Sequence, residues 1–410
     1  MKACESRRTP YYAIATTLAA VAIQIASGIS THATPQSTRL PKVVASANHT
    51  LIILPSGKVK VFARSNEAGQ LGLGVISGKD SSHPVPNKDF SDEGVYLPGV
   101  NDAVDGAAGK NFSLLLRSNG TVLGWGANDV GQVGTGATGA PVLQPTPVPL
   151  LSHVRQLAAG DSFSLALLED GSVQAWGNCI GEDKVCHRLS PRPFGGLAGV
   201  KAIAAGGDFA LALIEDGTVK AWGINKWGQI GDEKISRTSV PVQVPAIESA
   251  IAVSGGEEYA VALLRDGTVR VWGNGTMDGA YFAGAQSRSI HNDAYPWTAI
   301  PLAVPGLRNV KAISAGAAAL ALLQDGTVRA WGYDGFYAMG LGNMVEYRTR
   351  PMLLKVSHIA SVATGFNRSY FVQQDGTVLA AGVHRLDRSG TFRVPTVILP
   401  SAEAMSAQAR

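Results

Sequence analysis

Apolar positions alternate with small or polar ones in runs of four to six residues along most of the chain, the period of a strand with one buried face. In Ala204–Gly223, AAGGDFALALIEDGTVKAWG, two such runs (LALI and TVKAW) flank Asp216-Gly217. That dipeptide between alternating runs specifies a tight hairpin, because glycine accepts the positive φ that such turns demand. The arrangement returns at Asn119-Gly120, Asp170-Gly171, Asp266-Gly267, Asp325-Gly326 and Asp375-Gly376, and in weaker form at Gly57. Aligned on the turn glycine, the seven copies are spaced by 63, 51, 46, 50, 59 and 50 residues. A strand ending in small residues precedes the hairpin (Leu157–Gly160, Ile203–Gly206, Ile313–Gly316), and an extended, proline-containing segment such as Val240–Val244 follows it.

Four short strands per copy make one small sheet, which cannot bury both faces alone. Seven stacked copies predict an all-β fold, a seven-bladed β-propeller of four-stranded antiparallel blades over residues 40–400. The small residues suit strands crowded at the axis. The column Phe62, Trp125, Trp176, Trp222, Trp272 and Trp331 then fills the wider space between blades. Phe392–Leu399 has no hairpin after it, and the first copy lacks a full proline-containing segment before it. The C-terminal strand is therefore expected to complete the first blade, with Ser401–Arg410 frayed beyond it.

These residues resemble the regulator of chromosome condensation repeats, whose unit reads roughly AAGxxHSLALTxDGxVYxWGxNxxGQLGxG. Ala204–Gly231 carries it, with Asn225, Gly228, Gln229 and Gly231 in place, and so does Ala107–Gly136. The resemblance implies a seven-bladed propeller that binds other proteins through its faces and loops. The family includes a nucleotide exchange factor for a small nuclear GTPase, a photoreceptor, ubiquitin-ligase domains and an exported bacterial β-lactamase inhibitor, and an exported, bacterial-type member fits this chain. The family's histidine column reads His49, Phe112, Phe163, Phe209, Tyr259, Ala318, Arg368 here, and the GQLG element survives only at Gly69–Gly72, Gly131–Gly134 and Gly228–Gly231. In copy six the aligned Gly-Gln is Tyr337-Ala338.

The first 33 residues differ in kind. Lys2, Arg7 and Arg8 precede an uncharged apolar run from Tyr11 to Ile29, and Thr31-His32-Ala33 offers a cleavage site, so residues 1–33 read as an export signal. An uncleaved membrane anchor is the alternative; both place the propeller outside the cytoplasm. Cys179 and Cys186, the only cysteines beyond that segment, are seven positions apart in the loop after the third hairpin, where a disulfide fits an oxidising compartment.

Composition narrows the function. The 410 residues hold 48 glycines, 16% charged residues and a net charge of +4, with no Lys/Arg run longer than two, which argues against a dedicated nucleic-acid surface. No phosphate loop, HExxH, GxSxG or CxxC occurs, and the histidines are scattered, so neither a catalytic set, a metal site nor a cofactor is indicated. The recurring turn aspartates are explained by turn chemistry. The informative residues are those the repeat does not explain. Trp227 stands in a loop before Gly228, and the aligned position in copy six is Phe336, followed by Tyr337; large aromatics at one loop position of two blades share a face, where they either form a binding surface or tuck onto the neighbouring blade. The long insert Asn274–Thr298 adds Tyr281, Phe282, Tyr295 and Trp297, which either extend the partner-binding surface or pack over a blade edge, whereas the insert Val75–Pro98 is polar and reads as a solvated loop. The chain is therefore expected to be an exported monomer that binds another protein through these aromatics and catalyses nothing. Guanine-nucleotide exchange by family resemblance, and a hydrolase or lyase acting on polysaccharide across the propeller mouth, are the alternatives.

Overall fold

The computed structural model describes residues 39–63, 66–76, 94–275, 297–343, 345–383 and 391–406. The expected export signal, and Tyr281, Phe282 and Tyr295, lie outside them. Seven four-stranded antiparallel sheets, each built from strands consecutive in sequence, stand in a ring. In the fourth blade the inner strand Val200–Ala205 pairs with Phe209–Ile214, that strand with Val219–Ile224, and that with the outer strand Arg237–Gln243. The inner strands contact one another around the axis, where their small residues permit close approach.

The DG turns form as expected. Thr218 donates its backbone N–H and its hydroxyl to Asp216 Oδ1, 2.8 and 2.7 Å, and these two bonds hold the exposed carboxyl below its ordinary pKa. The same pair of bonds recurs at Asp170, Asp266 and Asp325. The glycine ending the inner strand has a different cause. A Cβ on Gly109, Gly160, Gly206 or Gly256 would lie 2.0–2.2 Å from the ring of Phe112, Phe163, Phe209 or Tyr259, so the aromatic that replaces the family histidine packs directly against that glycine. In the first blade His49 remains, with Nε2 2.7 Å from Ser113 Oγ. Burial, followed by the charge of Arg368, pushes its pKa down to about 3, so it is neutral.

The bulky column packs between blades: Phe62 and the five tryptophans are at most 2% exposed. Three of these indoles also bind the preceding blade. Trp125, Trp176 and Trp272 donate Nε1–H to the backbone carbonyls of Gln70, Gln132 and Gln229, at 2.8, 3.0 and 2.9 Å. Those glutamines belong to the three surviving GQxG turns. Where the turn is lost the partner changes: Trp222 stacks on Phe194, with centroids 4.9 Å apart.

Ring closure departs from the expectation. Thr391–Leu399 is the outer strand of the seventh blade, paired with Val378–Val383, and does not complete the first. The first blade takes its outer strand from Val95–Tyr96, near the end of the insert read as a solvated loop. Nor does the whole tail fray, for Ser401–Ser406 is a helix. Glu403 on it accepts from Lys60 Nζ at 2.6 Å and from Tyr96 Oη at 3.1 Å, and Ala404 is buried with Ile52, Phe62, Val372, Val378 and Leu399. Thr50 Oγ1 lies 2.7 Å from Tyr370 Oη across the same junction. Closure is therefore face-to-face packing of the seventh blade on the first, clasped by a helix. A strand swap is unnecessary because each blade completes its own sheet.

Candidate functional site: the propeller mouth

Successive antiparallel strands run in opposite directions, so the turn after the inner strand and the loop after the third strand emerge at one end of every blade, and the DG turns at the other. The first end surrounds the axis with a cavity of ≈ 550 Å³. Its rim is the dipeptide that follows each inner-strand glycine or its equivalent: Ala47-Asn48, Lys110-Asn111, Asp161-Ser162, Gly207-Asp208, Glu257-Glu258 and Phe366-Asn367, with Ala317 alone in the shortened sixth turn. Backbone bonds link neighbouring turns. Asp161 donates its N–H to Gly207 O at 2.8 Å, Gly207 to Glu257 O at 3.0 Å, and Ala317 to Gly365 O at 3.2 Å. On the other side Asn48 Nδ2 donates to Asn111 Oδ1 at 2.6 Å. The rim is thereby fixed before any ligand arrives.

Its charge is unevenly placed. Blades three to five contribute Asp161, Asp208, Glu257 and Glu258, faced by Lys110 of the second blade. Lys110 Nζ lies 3.2 Å from Asp161 Oδ2, and that carboxylate raises the lysine's pKa. Glu258 accepts from Asn274 Nδ2 at 2.7 Å. Burial first, and then the repulsion of Asp161, push the carboxyls of Asp208 and Glu257 upward. Blades six and seven provide an aromatic wall instead. Tyr333 meets Phe336 with centroids 5.8 Å apart, Tyr347 at 5.4 Å and Phe366 at 6.4 Å; Phe336 and Phe366 are 6.1 Å apart and both line the cavity.

The sequence-predicted residues are only partly brought together. Phe336 reaches the mouth. Tyr337 is the turn residue in place of a glycine, with φ +58°, and Arg393 of the seventh blade lies over its ring at 5.3 Å. Trp227 and Trp297, expected as exposed anchors, form a buried pair with Ala299, each 8% exposed. The correction has a simple cause: the outer strand of the fifth blade begins at Trp297 beside the turn of the fourth, and two indoles there shield each other from water. Cys179 and Cys186 are joined in a disulfide that staples the loop after the third strand of the third blade, on the mouth face. Sequence reasoning missed Asp161, Asp208, Glu257, Phe366 and Asn367, although all occupy the two variable positions after the inner-strand glycine.

A model described as an RCC1-like domain matches residues 28–371. The chain belongs to the RCC1-like family. It is 32% identical over 144 residues to the RCC1 domain-containing protein RUG3, mitochondrial, of Arabidopsis thaliana, covering 34% of this chain and 31% of that protein. It is 34% identical over 138 residues to the regulator of chromosome condensation of Mus musculus, covering 30% of each. These matches span less than a third of either relative. Among solved structures, Prp20p from Saccharomyces cerevisiae superposes with a TM-score of 0.66 at 23% identity, covering 92% of this chain and 91% of that one. Human WBSCR16 gives 0.64 at 21% identity, covering 76% and 85%. The structural likenesses attest the RCC1-like propeller fold. The rim dipeptides and the aromatic wall are read from this chain's own residues.

Proposed function

We propose that this RCC1-like propeller is a non-catalytic, exported binding protein, a scaffold or inhibitor-like binder, that engages another protein with its mouth face. One observation carries the reading: the cavity, the acidic arc, the aromatic wall and the stapled loop all belong to one end of the ring. At the other end the turns repeat, and their aspartates are satisfied within the turn. The Cys179–Cys186 bridge and the pattern of residues 1–33 support placement in an oxidising compartment.

The test compares partners captured from the native compartment by the full chain, by Glu257→Arg at the mouth, and by Asp216→Arg at the opposite end. Loss of a partner with the first substitution and its retention with the second is expected; the reverse pattern, or indifference to both, overturns the reading. A phosphatase fused behind residue 40 should be active only if the segment is exported. A cytoplasmic result would instead restore nucleotide exchange, the family alternative.

The clustered carboxylates also favour a second reading, a polysaccharide hydrolase or lyase working across the mouth. Turnover of a polysaccharide by the full chain, abolished in Asp161→Asn or Glu257→Gln, would establish it in place of the first.

A further inference from the structure

The mouth is asymmetric in a way that specifies what enters it. In a ring of seven, the third blade stands across the axis from the sixth and seventh, so Asp161 faces the wall made by Phe336 and Phe366 with the cavity between them. Glu257 lines the same cavity from the fifth blade. Asn367 lines it from the seventh; it is 5% exposed, and its Oδ1 accepts no hydrogen bond among the described residues. An acceptor left unmade in a buried position is costly unless a donor arrives to meet it. Carboxylates, an orphan acceptor and aromatic faces share one complement, a cationic hydrogen-bond donor on an apolar stem.

We propose that the mouth receives an arginine or lysine side chain presented by an apolar loop of the partner protein. The carboxylates of Glu257 and of Asp161, the latter shared with Lys110, meet the charge, Asn367 Oδ1 takes one N–H as its amide turns toward the cavity, and Phe336 and Phe366 cover the stem. This rests on the protein-binding reading and names the segment recognised. The bonds between rim turns mean that little order has to be created on binding, which favours a short insertion over an extended contact.

Phage-displayed random dodecapeptides selected on the full-length chain test it. Enrichment of peptides with Arg or Lys next to an aromatic or aliphatic residue is expected, their binding weakening as salt rises. Affinity should fall by about tenfold or more in Asp161→Asn/Glu257→Gln, and likewise in Phe336→Ala, at unchanged circular dichroism. The acid pair is isosteric, so a loss of binding there is not a loss of fold. Acidic or neutral peptides overturn the proposal, and so do basic peptides that ignore the mouth substitutions; both leave a protein-binding propeller with another site. Failure to enrich any peptide overturns this proposal, while partner capture by the full chain separately decides the broader reading.

Discussion

Trp272 Nε1–H donates to the backbone carbonyl of Gln229 at 2.9 Å, tying the third strand of the fifth blade to the turn of the fourth. The bond explains why each surviving GQxG turn is followed by a tryptophan in the next blade. Trp272→Phe keeps most of the buried ring and removes the donor. It should cost about 1–3 kcal/mol, since the carbonyl is left unsatisfied. Trp331 has no partner for its Nε1 among the described residues, so Trp331→Phe should cost less. Urea unfolding of the two variants measures the difference; equal losses would show that only ring packing matters.

Trp227 and Trp297 behave as core. Either one replaced by alanine should lower stability by roughly 3–5 kcal/mol. Because they touch, the double variant should lose clearly less than the sum of the two. Additive losses, or variants as stable as the parent, would return them to the surface.

The clasp helix predicts an effect at the opposite end of the chain. Removing residues 401–410 exposes the junction between blades one and seven and leaves Lys60, whose side chain is 9% exposed, without Glu403. A loss of roughly 2–4 kcal/mol is expected, because a nearly buried ammonium loses its counter-charge. Glu403→Gln isolates the charge, and Lys60→Met in the truncated chain should recover part of the loss. An unchanged melting curve after truncation would show that blade packing alone closes the ring.

Asp334 makes stability pH-dependent. It holds the turn position of Asn66, Asn128 and Asn225, accepting from the Met339 N–H at 3.0 Å as those asparagines accept from theirs. Its second oxygen lies 3.6 Å from Arg348 Nε, too far for a hydrogen bond. Burial raises its pKa from 3.8 to about 6, with the Met339 bond and Arg348 opposing. The folded form therefore holds its proton more tightly than the unfolded chain, so this residue's contribution is most favourable below pH 3.8 and declines as pH rises to about 6. Asp334→Asn should flatten that segment of the profile and gain about 1–2 kcal/mol at pH 7.5, net of the Arg348 pairing. His49 acts oppositely: its lowered pKa makes stability fall as pH drops below 6.5, and Asp334→Asn should leave that acid limb in place.

Reduction of Cys179–Cys186, or Cys179→Ser/Cys186→Ser, should destabilise the chain by about 2–3 kcal/mol, the closure entropy of a short loop. Thiol titration of unfolded, unreduced protein from its own compartment should find neither thiol free. Two free thiols would remove the bridge and weaken the argument for export.

The sequence alone determined the blades. Alternation, DG turns and a period near fifty are local properties, written seven times over, and a small two-faced sheet leaves stacking as its means of burial. It also determined that Trp125, Trp176, Trp222, Trp272 and Trp331 are core, because they recur in register. It misplaced the ends of the ring: whether Thr391–Leu399 joins the first blade or the seventh depends on which edge is free, and Val95–Tyr96 had already filled the first. The site was least legible. Trp227 and Trp297 looked exposed because the repeat did not account for them, yet only their proximity in space shows that each covers the other. Asp161, Glu257, Phe336 and Asn367 come from four blades and span more than two hundred residues of sequence. Each is an ordinary turn residue within its own copy, and only closure of the ring sets them around one cavity, where neighbouring charge and shared desolvation give them a common chemistry.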